Sequence, residues 1–178
     1  MGWEEFKNEV FTAAKNSFIK VQQVNEDEDF YAFSLYIDSD AISIGCSSNS
    51  IQALKRKLSQ EEYEAASAQD FSYIKWASSE WEYEAFDAEN FRAACEFLRT
   101  SAERRDIKAF KEKVISSLVD VLSKLKNDKV FNFKSSVNKG VFFVTITDDD
   151  GAEAVENATA LKLNDGALLS EFINRYEV

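Results

Sequence analysis

Residues 30–37 read FYAFSLYI, a run of aromatic and branched side chains short enough for a strand and suited to a half-buried pleated surface. In a strand Tyr31, Phe33, Leu35 and Ile37 share one face. A turn at Asp38-Ser39-Asp40 leads into Ala41–Ser47, and the two runs together predict an antiparallel hairpin. Further along, Val141–Thr147 reads VFFVTIT, the strongest strand of the chain, and Val130–Phe133 offers a short additional one. The acidic run Asp148-Asp149-Asp150-Gly151 that follows reads as a turn in which glycine supplies the positive φ.

Around these strands the hydrophobic period changes from two to between three and four. Trp3, Phe6, Val10, Ala13 and Val21 recur at helical spacing, with Phe11 and Phe18 widening the face, so Trp3 to about Val21 is an amphipathic helix that Trp3 anchors. Ser48, Asn49 or Ser50 caps a short helix ending near Leu58, because each side chain accepts from the orphan amides of a first turn. Glu61–Ala68 reads as a further turn or two, and Ser78 or Ser79 as the cap of a short helix through Trp81 to Tyr83. Asp87 caps a helix carrying Phe91, Ala94, Cys95 and Leu98 on one stripe. The clearest helix is Ile107–Leu125, and Ala167–Tyr176 is the last. Few strands among longer helices, with no βαβα alternation, predict an α+β fold: a small, mainly antiparallel sheet packed by several amphipathic helices.

The 178 residues, 45% of them hydrophobic, suffice for one core, so a single domain over 1–178 is expected. With 32 acidic and 21 basic residues the net charge is −11, which argues against nucleic acid and anionic membrane as partners and for a basic one. The charge is uneven: 19 acids face 9 bases over residues 1–100, 5 face 10 over 101–139, and 8 face 2 over 140–178. Cys46 and Cys95 stand far apart without a CxxC companion, the N-terminus lacks a secretory pattern, and no apolar run approaches the roughly eighteen residues that span a bilayer. A cytoplasmic protein is expected.

Histidine is absent from the chain, which removes Ser-His-Asp and Cys-His catalysis. GxGxxG and GxxxxGK[ST] are absent too, with five glycines in all. No cofactor and no bound metal is expected. Two carboxylates at a suitable separation remain capable of acid and base work or of holding a cation. The pairs available are Glu80 with Glu84, neighbours at i and i+4 if helical, and the triplet Asp148–Asp150. They define the alternative of a carboxylate-dependent hydrolase or divalent-metal enzyme. Counted from Asp148, the place where an EF-hand needs its bidentate glutamate is Thr159, so the triplet reads as a strand-ending turn.

Tyr73–Phe86, YIKWASSEWEYEAF, crowds five aromatics and three carboxylates into fourteen residues. Trp76 and Trp81 are five apart and cannot share one side of a regular helix, which leaves at least one for the surface or a second packing layer. Candidate partner contacts are Trp76, Glu80, Glu82 and Glu84, together with the acidic turn Glu26, Asp27, Glu28 and Asp29.

Taken in order, FYAFSLYIDSD, SSNSIQAL and above all YIKWASSEWEYEAF with the helix after it resemble a bacterial family of uncharacterised domains, DUF4303. The resemblance covers most of the chain. Asn49, Trp76, Ser79, Glu80 and Trp81 correspond to the family's Asn-centred helix start and its W-S-x-x-E-W-like block, with Ala77 in place of the serine that directly follows the tryptophan. The resemblance implies an association with polymorphic toxin loci and hence an immunity role: a noncatalytic protein that binds and neutralises a cognate toxin domain. It implies no catalytic residues. The composition suits that expectation, because a strongly acidic surface covers a basic toxin surface and speeds the encounter.

Overall fold

The computed structural model describes residues 1–60, 67–134 and 140–177. Its centre is β1 (Phe30–Asp38), flanked by β2 (Ile44–Ser50) and β3 (Val141–Thr147) in the order β2-β1-β3. The expected hairpin is present, with Phe33 opposite Ser48, Leu35 opposite Cys46 and Ile37 opposite Ile44. Gly45 is needed there, since a Cβ on it would lie 2.5 Å from the Tyr36 phenol oxygen across the pair.

The sheet is mixed, whereas a mainly antiparallel one was expected, because β3 pairs with β1 in parallel: Phe33 lies beside Phe142 and Leu35 beside Val144. A parallel pair needs a long crossover, and the helices between β2 and β3 supply it. Such a central strand is covered on both faces, which is why β1 is apolar at nearly every position. A register shift between Phe30 and Ala32 also separates residues expected to share a face. Phe33, Leu35 and Ile37 enter one apolar cluster, while Tyr31 joins Ala32 in the other.

The first cluster lies between the sheet and the helices α1 (Trp3–Val24), α4 (Arg92–Thr100) and α5 (Ile107–Asn127). From α1 come Phe6, Val10, Phe18 and Val21, and from α5 Phe110, Val114, Leu118 and Leu122, all buried, as their spacing predicts. Asp106 caps α5 by accepting from the Ala109 amide. Trp3 is the anchor expected of it, its ring centred 5.2 Å from Phe97 and 5.7 Å from Phe110. Val130–Phe133 forms no strand; Phe131 instead packs its ring 4.5 Å from those of both Phe33 and Phe142.

On the opposite face lie α2 (Ile51–Leu58), α3 (Ala68–Trp76), α6 (Ala152–Leu163) and α7 (Ala167–Ile173). Ser50 caps α2 through the Ala53 amide, while Ser67 and Asp70 form a reciprocal capping box for α3. Ser78–Glu80 is a single 3-10 turn with no side-chain cap, so the helix expected to run through Trp81–Tyr83 is absent, and Asp87 likewise caps nothing through its side chain. The turn or two expected at Glu61–Ala68 falls largely outside the described residues. After β3 the positive φ belongs to Asp148, at 55°, and not to Gly151, at −87°. Aspartate tolerates that left-handed conformation, and Asp149 stabilises the turn by accepting from the Gly151 amide at 2.9 Å.

Candidate functional site

The aromatic and acidic block Tyr73–Phe86 is divided by the end of α3. The chain leaves the helix at Ala77 and is extended at Trp81, so both tryptophans reach the same apolar cluster. Trp76 is 1% and Trp81 3% exposed. Trp76 sits edge-on to Tyr31 and Phe172, and the Trp81 indole donates to the Lys75 carbonyl at 3.1 Å. Trp76 is therefore removed from the candidate partner contacts, since a ring enclosed by the core presents nothing to a second protein. Asn49 has an internal task as well, donating to the Tyr31 hydroxyl at 2.9 Å.

Two of the candidate carboxylates meet at one arginine. Arg56 on α2 gives Glu82 a two-pronged contact through Nε and Nη2, each at 2.9 Å, and its Nη2 also lies 2.7 Å from Glu28. Glu28 further accepts from Ser50 at 2.5 Å and from Tyr83 at 2.8 Å. Burial alone pushes its carboxyl up, but the hydrogen bonds from Ser50, Tyr83 and Arg56 and the Arg56 charge outweigh that, holding it below its ordinary range. Burial, followed by the bond to Glu28, raises the Tyr83 phenol. This network joins α2, the acidic turn and the aromatic block, and it takes Glu28 and Glu82 out of the free surface charge.

Glu80 pairs with Lys57 at 3.2 Å. It is not a helical neighbour of Glu84, because the 3-10 turn ends at Glu80, Trp81 is extended and Glu84 donates its amide to the Trp81 carbonyl in a separate turn, so the i, i+4 cation pair does not form. Glu26, Asp27 and Glu84 are exposed, Asp29 is half-buried, and among the described residues none of these four carboxylates has a cationic partner. Nor do three or more Asp, Glu or Cys side chains gather among the described residues so as to hold a metal ion.

A cleft of about 360 Å³ brings the aromatic block to the acidic turn after β3. Tyr73 of α3 and Ser78 line one side, Asp148, Asp149 and Asp150 the other, with Glu156 of α6 and Tyr176 beyond α7 completing the wall. Tyr73 is 46% and Tyr176 39% exposed, whereas Ser78 is 8% exposed. Two of the four carboxylates are neutralised internally. Asp149 pairs with Lys111 at 2.9 Å, whose hydrogen bond, aided by the Gly151 amide, holds it below its ordinary range. Glu156 pairs with the buried Arg175 at 2.7 Å and accepts from Thr145 at 2.5 Å. Asp148 and Asp150 are exposed. Burial, followed by the Glu80 charge, pushes the Tyr73 phenol up.

The profile of the family described as "Domain of unknown function (DUF4303)" matches residues 10–165. The chain belongs to the DUF4303 family. The DUF4303 match takes in all three strands and most of the cleft, with Tyr176 beyond its end. No curated protein and no solved structure matches the chain. Within this DUF4303 protein the positions that carried the resemblance are mainly architectural: Asn49, Trp76 and Trp81 all make internal contacts. The sequence offers Glu80 with Glu84 and the triplet Asp148–Asp150 as alternative carboxylate sites and does not bring the turn and the aromatic block together. Their meeting depends on α3 and α6, helices that the hydrophobic period did not reveal. Among the described residues no helix is long and apolar enough to cross a membrane.

Proposed function

We propose that this DUF4303 protein is a noncatalytic, cytoplasmic binding protein of the immunity type, which neutralises a cognate toxin domain by covering a basic surface on it. The observation that carries the reading is the division of its carboxylates. Glu28, Glu80 and Glu82 are spent on internal ion pairs, whereas Glu26, Asp27, Glu84, Asp148 and Asp150 stand exposed on a chain of net charge −11. Exposed carboxylates without internal partners steer a cationic partner and pair with it at the rim of an interface. In this reading neither nucleic acid nor membrane is a partner.

The test is binding between the purified protein and the product of the gene beside its own, measured by calorimetry at two salt concentrations, with growth protection scored when both are expressed together. Binding that weakens as salt rises, together with protection, is the expected result. A neighbouring product that neither binds nor is neutralised overturns the reading.

A further inference from the structure

We propose that residues 167–177 form a strap that opens as a unit about Gly166, and that the groove it leaves takes the same strap from a second copy of the chain. The proposal is independent of the binding reading above.

The hinge is the first observation. Asn164 ties the end of α6 to the Phe142 backbone, so the body is fixed up to that residue. Asp165 and Gly166 after it are exposed, and Gly166 has a φ of 90° with open space where a Cβ would stand. The DUF4303 match also stops at residue 165, which leaves the strap outside the part of the chain that the family shares.

The second is the manner of attachment. Between Ala167 and Glu177 only Phe172 and Arg175 are buried. Phe172 centres its ring 5.3 Å from that of Trp76 and 4.7 Å from that of Phe143, while Arg175 donates to Asn157 at 2.6 Å and to Glu156 at 2.7 Å. α7 has seven residues and no side-chain cap, too few to hold a helix away from the body. The strap is ordered only while those two side chains are seated.

The third is unmet hydrogen bonding at this seam. Of the four buried side-chain groups without a partner among the described residues, two are Arg175 Nε in the strap and the indole nitrogen of Trp76, the ring that Phe172 covers. A buried donor left unpaired is destabilising, the more so on a charged group. Lifting the strap returns the Arg175 guanidinium to water, and Glu156, which faces the cleft, meets water with it. That gain offsets part of the lost apolar contact and sets the opening well below global unfolding in free energy.

What the open groove accepts follows from its fit. Trp76 and Phe143 form an apolar floor and Glu156 and Asn157 a polar end, so the complement is an aromatic residue followed three places later by arginine. Phe172 and Arg175 are that pair. A second copy carries the identical segment, and reciprocal exchange remakes every contact.

The experiment uses the full chain. Hydrogen exchange read by mass spectrometry should show the amides of residues 170–175 exchanging together, about a hundredfold faster than those of β1 and α5. Equal amounts of ¹⁴N and ¹⁵N protein, held together at millimolar concentration below the melting temperature, should then yield a dimer of mixed mass in native mass spectrometry. A synthetic peptide of residues 167–177 in tenfold excess should suppress that dimer about tenfold and be captured itself, whereas the peptide carrying Phe172→Ala should do neither. Strap amides protected as strongly as those of β1 overturn the opening. The absence of a mixed dimer, or a dimer that the two peptides affect equally, overturns the exchange.

Discussion

Asn164 holds Phe142 by both halves of its side-chain amide: its Oδ1 accepts from the Phe142 amide at 2.9 Å, and its Nδ2 donates to the Phe142 carbonyl at 2.7 Å. Phe142 lies on the outer edge of the sheet, and Thr159 continues the cover by accepting from the Val144 amide at 3.0 Å. Side chains from within α6 and from its C-terminal cap thus take the place of a fourth strand and blunt an edge that is otherwise a template for aggregation. Asn164→Ala is expected to cost about 2–3 kcal/mol, because it leaves buried backbone groups unpaired. Asn164→Asp, which keeps the acceptor, should cost less. Urea unfolding of the two variants checks the order, and light scattering on warming should show the alanine variant aggregating first.

Burial of Trp76 separates stability from recognition. Trp76→Ala should destabilise by about 3–5 kcal/mol through the cavity it leaves, while Trp76→Phe keeps an aromatic ring and loses less. If the ring is purely architectural, the phenylalanine variant binds the partner with unchanged affinity at a temperature where it is folded. Calorimetry beside a thermal melt reads both quantities, and a tenfold loss of affinity in a folded Trp76→Phe protein would restore this residue to the interface.

The acid limb of the stability curve should report on Glu28. Its folded pKa lies below the ordinary value of 4.5, so its contribution is fully present above that value and is lost as pH falls through the folded pKa. Glu28→Gln is therefore expected to be less stable than the parent by about 2 kcal/mol at neutral pH. The gap should close as pH falls from 4.5 through the folded pKa and the parent carboxylate takes up its proton. Denaturant midpoints measured across this range test the sign: a gap that widens on acidification contradicts the assignment.

Cysteine labelling should distinguish the two thiols. Cys46 is 1% exposed, and burial pushes its thiol up to about 12, leaving almost no thiolate near neutrality. Cys95 is only partly buried. One equivalent of a thiol-reactive dye should enter the native protein at pH 8, at Cys95, and a second only in denaturant, with mass spectrometry of the digest locating each.

What could be read in advance followed from periodicity. α1, α5 and β3 were visible because their apolar residues repeat strictly, and the hairpin because FYAFSLYI and its turn are local. α6 was hidden: its sequence, AEAVENATALKL, has little apolar stripe, and Thr159 and Asn164 serve the edge of β3 instead of a core. α3 was obscured by the tryptophan block at its end. The parallel pairing of β1 with β3 is a choice among long-range partners that neither strand encodes alone. Of the candidate site, the Asp148–Asp150 turn and the aromatic block were both legible as pieces, and only the packing of α3 and α6 on one sheet face brought them to a common cleft. Trp76 stood among the candidate contacts because two tryptophans five apart cannot share one side of a regular helix, and the extended backbone at Trp81 brings both rings to one cluster instead.

The parallel pairing also sets an order of events during synthesis. β1 and β2 are adjacent in the chain and close as a hairpin soon after they emerge, but the second edge of β1 waits for Val141–Thr147, which arrives only after α2, α3, α4 and α5 have been made. Until then the central strand of the sheet has one open side. Long-range pairings of this kind slow folding and prolong the life of sticky intermediates. The nascent chain is therefore at its most vulnerable in the interval before β3 docks, and holdase chaperones would find their target on the exposed edge of FYAFSLYI.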